Sequence, residues 1–168
     1  AMEPALVELL PDIATVSNPL DYTTPIWGQP EFTYPVFAKA LSAMSSDSAV
    51  LVQDYPAAGL DDSKIYYQRD AAAFARAARE QGLPAAICAT LPENMDIETR
   101  EFLIAEGVAP MQGIHETLNA VRDAANWTQV RERIGAAKPA PLLAACDVDT
   151  LTMLTEDEGK RWLADQGV

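Results

Sequence analysis

The sequence predicts an α/β fold with three layers, in which a short, mostly parallel sheet lies between helices. Two observations carry this. Short apolar runs at 50–52, 83–89 and 108–111 alternate with amphipathic helical stretches. These runs are continuous rather than alternating, as in strands covered on both faces. Strands that alternate with helices pair in parallel and place their crossovers over the sheet.

Each element has its own signal. Residues 3–10 read as a short helix ending at Pro11. Ala14 to Tyr22 reads as a strand running into a loop, with Pro19 limiting its pairing. A helix is expected from Thr33, which caps it, to Met44, with Phe37, Ala40, Leu41 and Met44 on one face. Ser45 to Ser48 breaks the pattern before the strand at Ala49–Val52. Asp54 to Ser63 is loop, and a long helix then runs to Gln81, lined by Ala71, Phe74 and Ala78. Gly82 is placed to end it in a left-handed conformation. Leu83–Ala89 is the next strand, and Asp96 caps a helix ending near Gly107. Val108–Met111 is a third strand. Ile114, Leu118, Val121 and Ala125 then mark an amphipathic helix.

The pattern changes after Trp127. Residues 128–134 read as a separate short helix, and Ala136 to Pro141 is linker-like, small and Pro-rich. Thr155 and Glu158 form a capping-box pattern that opens a last helix to about Gln166. The expected organisation is one α/β domain over 1–135, followed over 136–168 by a linker and a helix.

Composition narrows the function. The net charge is −13, and the 12 Lys and Arg are scattered, which argues against nucleic acid. No apolar stretch is long enough to span a membrane and no secretory signal opens the chain, so a soluble cytoplasmic protein is expected. Cys88 and Cys146 lie far apart and imply no disulfide framework.

Several chemistries lack their residues. There is one histidine, His115, and no G-x-S-x-G elbow. Neither phosphate-binding glycine fingerprint occurs, and no zinc-ligand spacing is present. His115 lies outside the apolar stripe of its helix and reads as a surface residue. In parallel sheets ligands sit at the carboxyl ends of strands, so the loops after Tyr22, Val52, Ala89 and Met111 are the places to search. The loop Asn18-Pro19-Leu20-Asp21-Tyr22-Thr23-Thr24 either binds phosphate or only satisfies its own backbone; both readings fit the residues. In Ala57-Ala58-Gly59, small residues precede a helix, whose N–H groups attract anions; the pattern alone favours a plain turn.

The order of segments resembles the CoA-ligase-type, flavodoxin-like domain of nucleoside-diphosphate-forming acyl-CoA synthetases, relatives of succinyl-CoA synthetase. It rests on Leu10, Pro11, Ala14, Asn18, Pro19, Leu20 and Asp21, then on Val50–Val52 and Ala85–Ile87. Gly107 to Gly113 follows, and Leu154 to Lys160 resembles the start of an ATP-grasp domain. The resemblance implies a supporting part of an enzyme that joins an acid to CoA through acyl-phosphate and phosphohistidine intermediates. Asn18, Asp21, Thr23, Thr24, Ala57, Ala58 and Gly59 would border the phosphate or substrate. No residue here is expected to be catalytic, because the phosphohistidine loop belongs to another domain and His115 matches no position of it. The chain alone is expected to be inactive and to hold no cofactor. CoA and ATP or ADP with Mg would belong to the parent, whose CoA-binding, phosphohistidine and ATP-grasp domains are the expected partners; self-association stays open. The same domain set resembles regulatory acetyltransferases, where this part would bind or sense. An unrelated flavodoxin-like module is a third reading. In its response-regulator form it would require an acidic pair and a placed Lys, which do not accompany Asp54.

Overall fold

In the computed structural model, residues 6–57, 59–60, 62–137 and 152–167 are described. Three strands, β1 (Ala49–Val52), β2 (Ala85–Ala89) and β3 (Ala109–Gln112), form one parallel sheet in the order β1-β2-β3. Leu51 pairs with Ile87 and Cys88 with Met111. The helices are α1 (Pro30–Ala43), α2 (Lys64–Glu80), α3 (Ile97–Ala105), α4 (Ile114–Ala137) and α5 (Glu156–Asp165). The fold is α/β, with a short parallel sheet flanked by helices in a three-layer, flavodoxin-like arrangement. The chain divides into two compact units, Ala1–Thr128 and Gln129–Val168, with the division inside α4. No helix among the described residues is long and apolar enough to cross a membrane.

Strand alternation sorts the first unit into faces. Ala49, Leu51, Ile87 and Ala89 join the main core with Phe37 of α1 and Phe74 of α2. Leu103 of α3 and Val108 complete that side. Cys88 points the other way, where the Thr117 hydroxyl of α4 lies 3.0 Å from its sulfur. Successive side chains on a strand face opposite sides, so one buried run serves two helical layers.

Local signals end and begin the helices as expected at several places. Gly82 takes φ 65 and its N–H donates to the Arg79 carbonyl, while the Leu83 N–H donates to Ala78. That pair of bonds is a Schellman closure. The Asp96 carboxylate accepts the Thr99 N–H at 2.9 Å and caps α3. Thr155 and Glu158 form the reciprocal capping box of α5.

Other expectations are corrected. Ala14 to Tyr22 forms no strand. Pro19 offers no donor for a ladder, and the Asn18–Pro19 peptide is cis. Ala14, Val16, Leu20 and Tyr22 still pack inward, against a small cluster of Leu6, Leu10, Ile26, Val36 and Ala40. Their alternation therefore reflects burial without pairing. Thr33 does not cap α1. That helix starts at Pro30, a residue suited to a first turn, and the buried Thr33 hydroxyl donates to Asp70 instead. Residues 128–134 are not a separate helix but the continuation of α4. The stripe on α4 is also less covered than its spacing implies. Ile114 and Leu118 are 43% and 58% exposed, and Thr117 is the buried residue. Ala120, Val121, Ala124 and Ala125 face Ala49, Ala85 and Ala109 across an apolar gap of about 530 Å³. Alanines on both sides leave that space unfilled. Of the expected opening helix, Leu6 and Val7 are helical, and residues 3–5 lie outside the described residues. Of the expected linker, Ala136 and Ala137 close α4, and 138–141 lie outside the described residues, as does Cys146.

Candidate functional site

A cleft of about 580 Å³ opens at the carboxyl end of β1. Three separate segments build it. The first is the loop carrying Asp21, Tyr22, Thr24 and Trp27. The second is the strand end, Val52, Gln53 and Asp54. The third is the N-cap and N-terminal half of α2, through Ser63, Tyr66, Tyr67 and Asp70. Helical periodicity puts 66, 67 and 70 on the face below the N-cap Ser63, which is why three residues of one helix and its cap reach the same space.

Asp70 joins these parts. It is 1% exposed and accepts the Gly28 N–H at 2.9 Å and the Thr33 hydroxyl at 3.0 Å. Its carboxyl is raised above the usual range by burial, against the pull of the Gly28, Thr33 and Tyr22 hydrogen bonds. Burial disfavours the charged form, and donors restore part of its stability. The Tyr22 hydroxyl lies between Asp70 and Gln53, and burial, followed by the Asp70 charge, pushes its ionisation far up. Tyr55 behaves the same way for the same two reasons. Both phenols are therefore held neutral.

Asp54 behaves differently. Burial pushes it up, but donors from Thr90, Asn94 and the Leu91 backbone outweigh this and hold it below the usual carboxylate range. The Thr90 N–H and hydroxyl donate to its two oxygens at 2.8 and 2.6 Å. It stays ionised at neutral pH and is fixed in place by the turn after β2.

The walls are aromatic. Tyr22 and Trp27 have ring centroids 6.1 Å apart, and Trp27 and Tyr67 are 6.5 Å apart, both in tilted contact. Trp27 and Tyr66 remain 43% and 50% exposed, so ring surface is open toward the cleft and solvent. Three buried oxygens nearby have no hydrogen-bond partner: Thr23 Oγ1, Gln53 Oε1 and Tyr55 Oη. Thr23 also has φ 61, a strained value for a β-branched residue, between two residues that line the cleft.

The residues expected to border a ligand are distributed unevenly. Asp21 and Thr24 line the cleft. One Asp21 oxygen accepts the Thr23 N–H at 2.9 Å, so the side chain also shapes its own turn. Asn18 borders a different, apolar groove with Pro19, Leu20, Ile114 and Leu118. Ala57 and Gly59 are exposed in the loop before α2, and Ala58 lies outside the described residues. Because α2 begins at Lys64, the helix-dipole reason for an anion does not reach Ala57 and Gly59; the effect fades within the first turn. His115 is exposed at the start of α4. Sequence reasoning missed Trp27, Gln53, Tyr66, Tyr67 and Asp70. A usable signal was present: Tyr66, Tyr67 and Asp70 follow a three-to-four spacing at the end of α2 that faces the strand's carboxyl edge.

No family model matches the sequence, and no curated protein matches it.

Proposed function

We propose that this chain is the CoA-ligase-type domain of a nucleoside-diphosphate-forming acyl-CoA synthetase, acting in the cytoplasm as a supporting part of a composite site. The observation that supports this best is positional. Asp21, the last residue of the Asn-Pro-Leu-Asp element that carries the resemblance, borders together with Thr24 the cleft at the carboxyl end of β1. In parallel α/β sheets that is where ligands collect.

The chain's own residues fit a bordering role and not the nucleotide. Among the described residues lining the cleft there is no Lys, Arg or His to meet a triphosphate. Among the described residues no group of three or more metal-ligating side chains comes together for Mg. On this reading CoA, ATP or ADP and Mg would belong to the CoA-binding, phosphohistidine and ATP-grasp domains of the parent. This domain would hold its Asn18–Thr24 loop beside the phosphate during transfer, with cations supplied by those partners.

One observation favours a second reading, as the binding domain of an acetyltransferase built on the same domains. Two of the three carboxylates of the cleft are committed to the protein itself, Asp70 to Gly28 and Thr33 and Asp54 to Thr90. Such groups hold a ligand without reacting. The test is the gene product carrying this chain, assayed for ADP release that requires both an acid and CoA. Acid-dependent ADP release is expected from it and none from the chain alone. Acyl-CoA formed by the chain alone overturns the proposal, and transfer of acetyl groups to protein in its place selects the second reading.

A further inference from the structure

We infer that the cleft at the carboxyl end of β1 is a site for an organic cation, an ammonium or guanidinium carried on an apolar stem. This goes beyond the acyl-CoA-synthetase reading and does not depend on it.

Three independent features agree. The first is charge. Asp21, Asp54 and Asp70 all border the space, and no cationic side chain is among the described residues that line it. Asp70 has both oxygens engaged within the protein, so it contributes field more than contact. Asp21 is exposed and has one oxygen taken by the Thr23 N–H, which leaves the other available. Asp54 lines the same space, ionised and immobilised by Thr90.

The second feature is the aromatic wall. Tyr22, Trp27, Tyr66 and Tyr67 enclose the same volume. Ring faces attract cations through their quadrupole, Trp most strongly, and they also cover an alkyl stem. The structure already holds one such pair on Tyr66, with the Arg69 guanidinium, which lines a separate groove, 5.5 Å from the ring centroid. Arg69 is thus an intramolecular example of the chemistry that Tyr66 accepts.

The third feature is an unmet acceptor. Gln53 is 7% exposed, lines the cleft, and its Oε1 has no hydrogen-bond partner. A buried amide oxygen without a donor is costly, and native proteins rarely leave one unless a ligand or water completes it. An ammonium or guanidinium brings donors only, which matches a wall of acceptors. The volume of about 580 Å³ lies in the range of small-ligand sites.

The same cation can arrive as a free amine or as a Lys or Arg side chain of another polypeptide. The experiment uses the whole chain, with backbone, indole and side-chain amide resonances followed by NMR. The probes are butylammonium, Nα-acetyl-lysine methylamide and its guanidinium counterpart. Their neutral partners are butanol and Nα-acetyl-norleucine methylamide. The cations are expected to shift the Trp27 indole and Gln53 side-chain amide signals saturably, and the neutral partners to bind at least tenfold more weakly. Asp21→Asn keeps the oxygen that holds the Thr23 N–H while removing the charge, and should weaken binding three- to tenfold. Tyr66→Leu should do the same, with the spectrum elsewhere unchanged. Binding of butylammonium but not of the blocked lysine identifies a free amine. Binding of the blocked lysine at least as well identifies a protein side chain. Neutral partners that saturate the same signals at the same concentrations overturn the proposal. So do cations that shift only signals outside the cleft, or that never saturate.

Discussion

At the scale of single residues, Gly28 is the most constrained position beside the cleft. Its φ is +71, and a Cβ placed there would lie 2.6 Å from the Tyr66 Cβ. The colliding atom is fixed to the α2 backbone, so it cannot swing away as the tip of a long side chain could. The Gly28 N–H is also one of the donors that satisfy buried Asp70. Gly28→Ala is therefore expected to cost about 2–4 kcal/mol, from left-handed strain and overpacking together. Urea unfolding measures this, and a loss below about 1 kcal/mol would show that the loop and α2 can separate freely. Gly28 illustrates what sequence reading misses at this scale. Its identity hints at an unusual backbone, but the reason lies 38 residues away at Tyr66, beyond any local pattern.

At the scale of elements, α2 and α3 are joined where each begins. Lys64, the first residue of α2, places its ammonium 2.9 and 3.1 Å from the two oxygens of Asp96. Asp96 caps α3, so one carboxylate serves two helix starts. The Lys64 ammonium, followed by Thr99, lowers Asp96 to about 2. In the unfolded chain an Asp titrates near ~3.9. Since the folded value is the lower one, this stabilisation is present above about pH 4 and is lost as pH falls toward 2. Asp96→Ala is expected to cost about 1–2 kcal/mol at pH 7, mostly as a lost cap. The variant should lose less stability than the natural chain between pH 4 and pH 2. Unfolding curves at pH 7, 4 and 2.5 test this, and parallel losses for both proteins at acid pH would rule out Asp96 as the titrating group. The cap itself was legible, because an N-cap needs only an acceptor and a donor three residues on. Its second partner was not, because Lys64 and Asp96 belong to different helices.

At the scale of the whole molecule, stability is expected to be uneven. β1 and β2 carry buried core residues, including Leu51, Ile87 and Cys88. α5 has none: Trp162 and Leu163 are 57% and 43% exposed in a helix of ten residues. Isolated helices of that length are marginal in water even when well capped. Amides of 156–165 should therefore exchange well before those of Val50–Val52 and Ala86–Cys88. Native-state hydrogen exchange measures both sets together. Equal protection would mean that α5 belongs to the same cooperative unit as the sheet.

What the sequence determined by itself was whatever one segment can specify. The strands of 49–52, 85–89 and 109–112 were legible as short apolar runs between helical stretches, most clearly the central β2, which is buried along most of its length. The ends at Gly82, Asp96 and Thr155 were legible because caps are made by residues within one turn. Tertiary structure alone decided the rest. Ala14 to Tyr22 alternates like a strand yet pairs with nothing, since periodicity reports which side chains are buried and not which backbone groups bond. Thr33 can cap a helix, but its hydroxyl was claimed by Asp70, 37 residues away. The cleft combines loop, strand end and helix face, each ordinary in isolation, and its acidic and aromatic character exists only where the three converge. Local sequence specifies a backbone's preferences; a site is a property of distances between segments, which only packing sets.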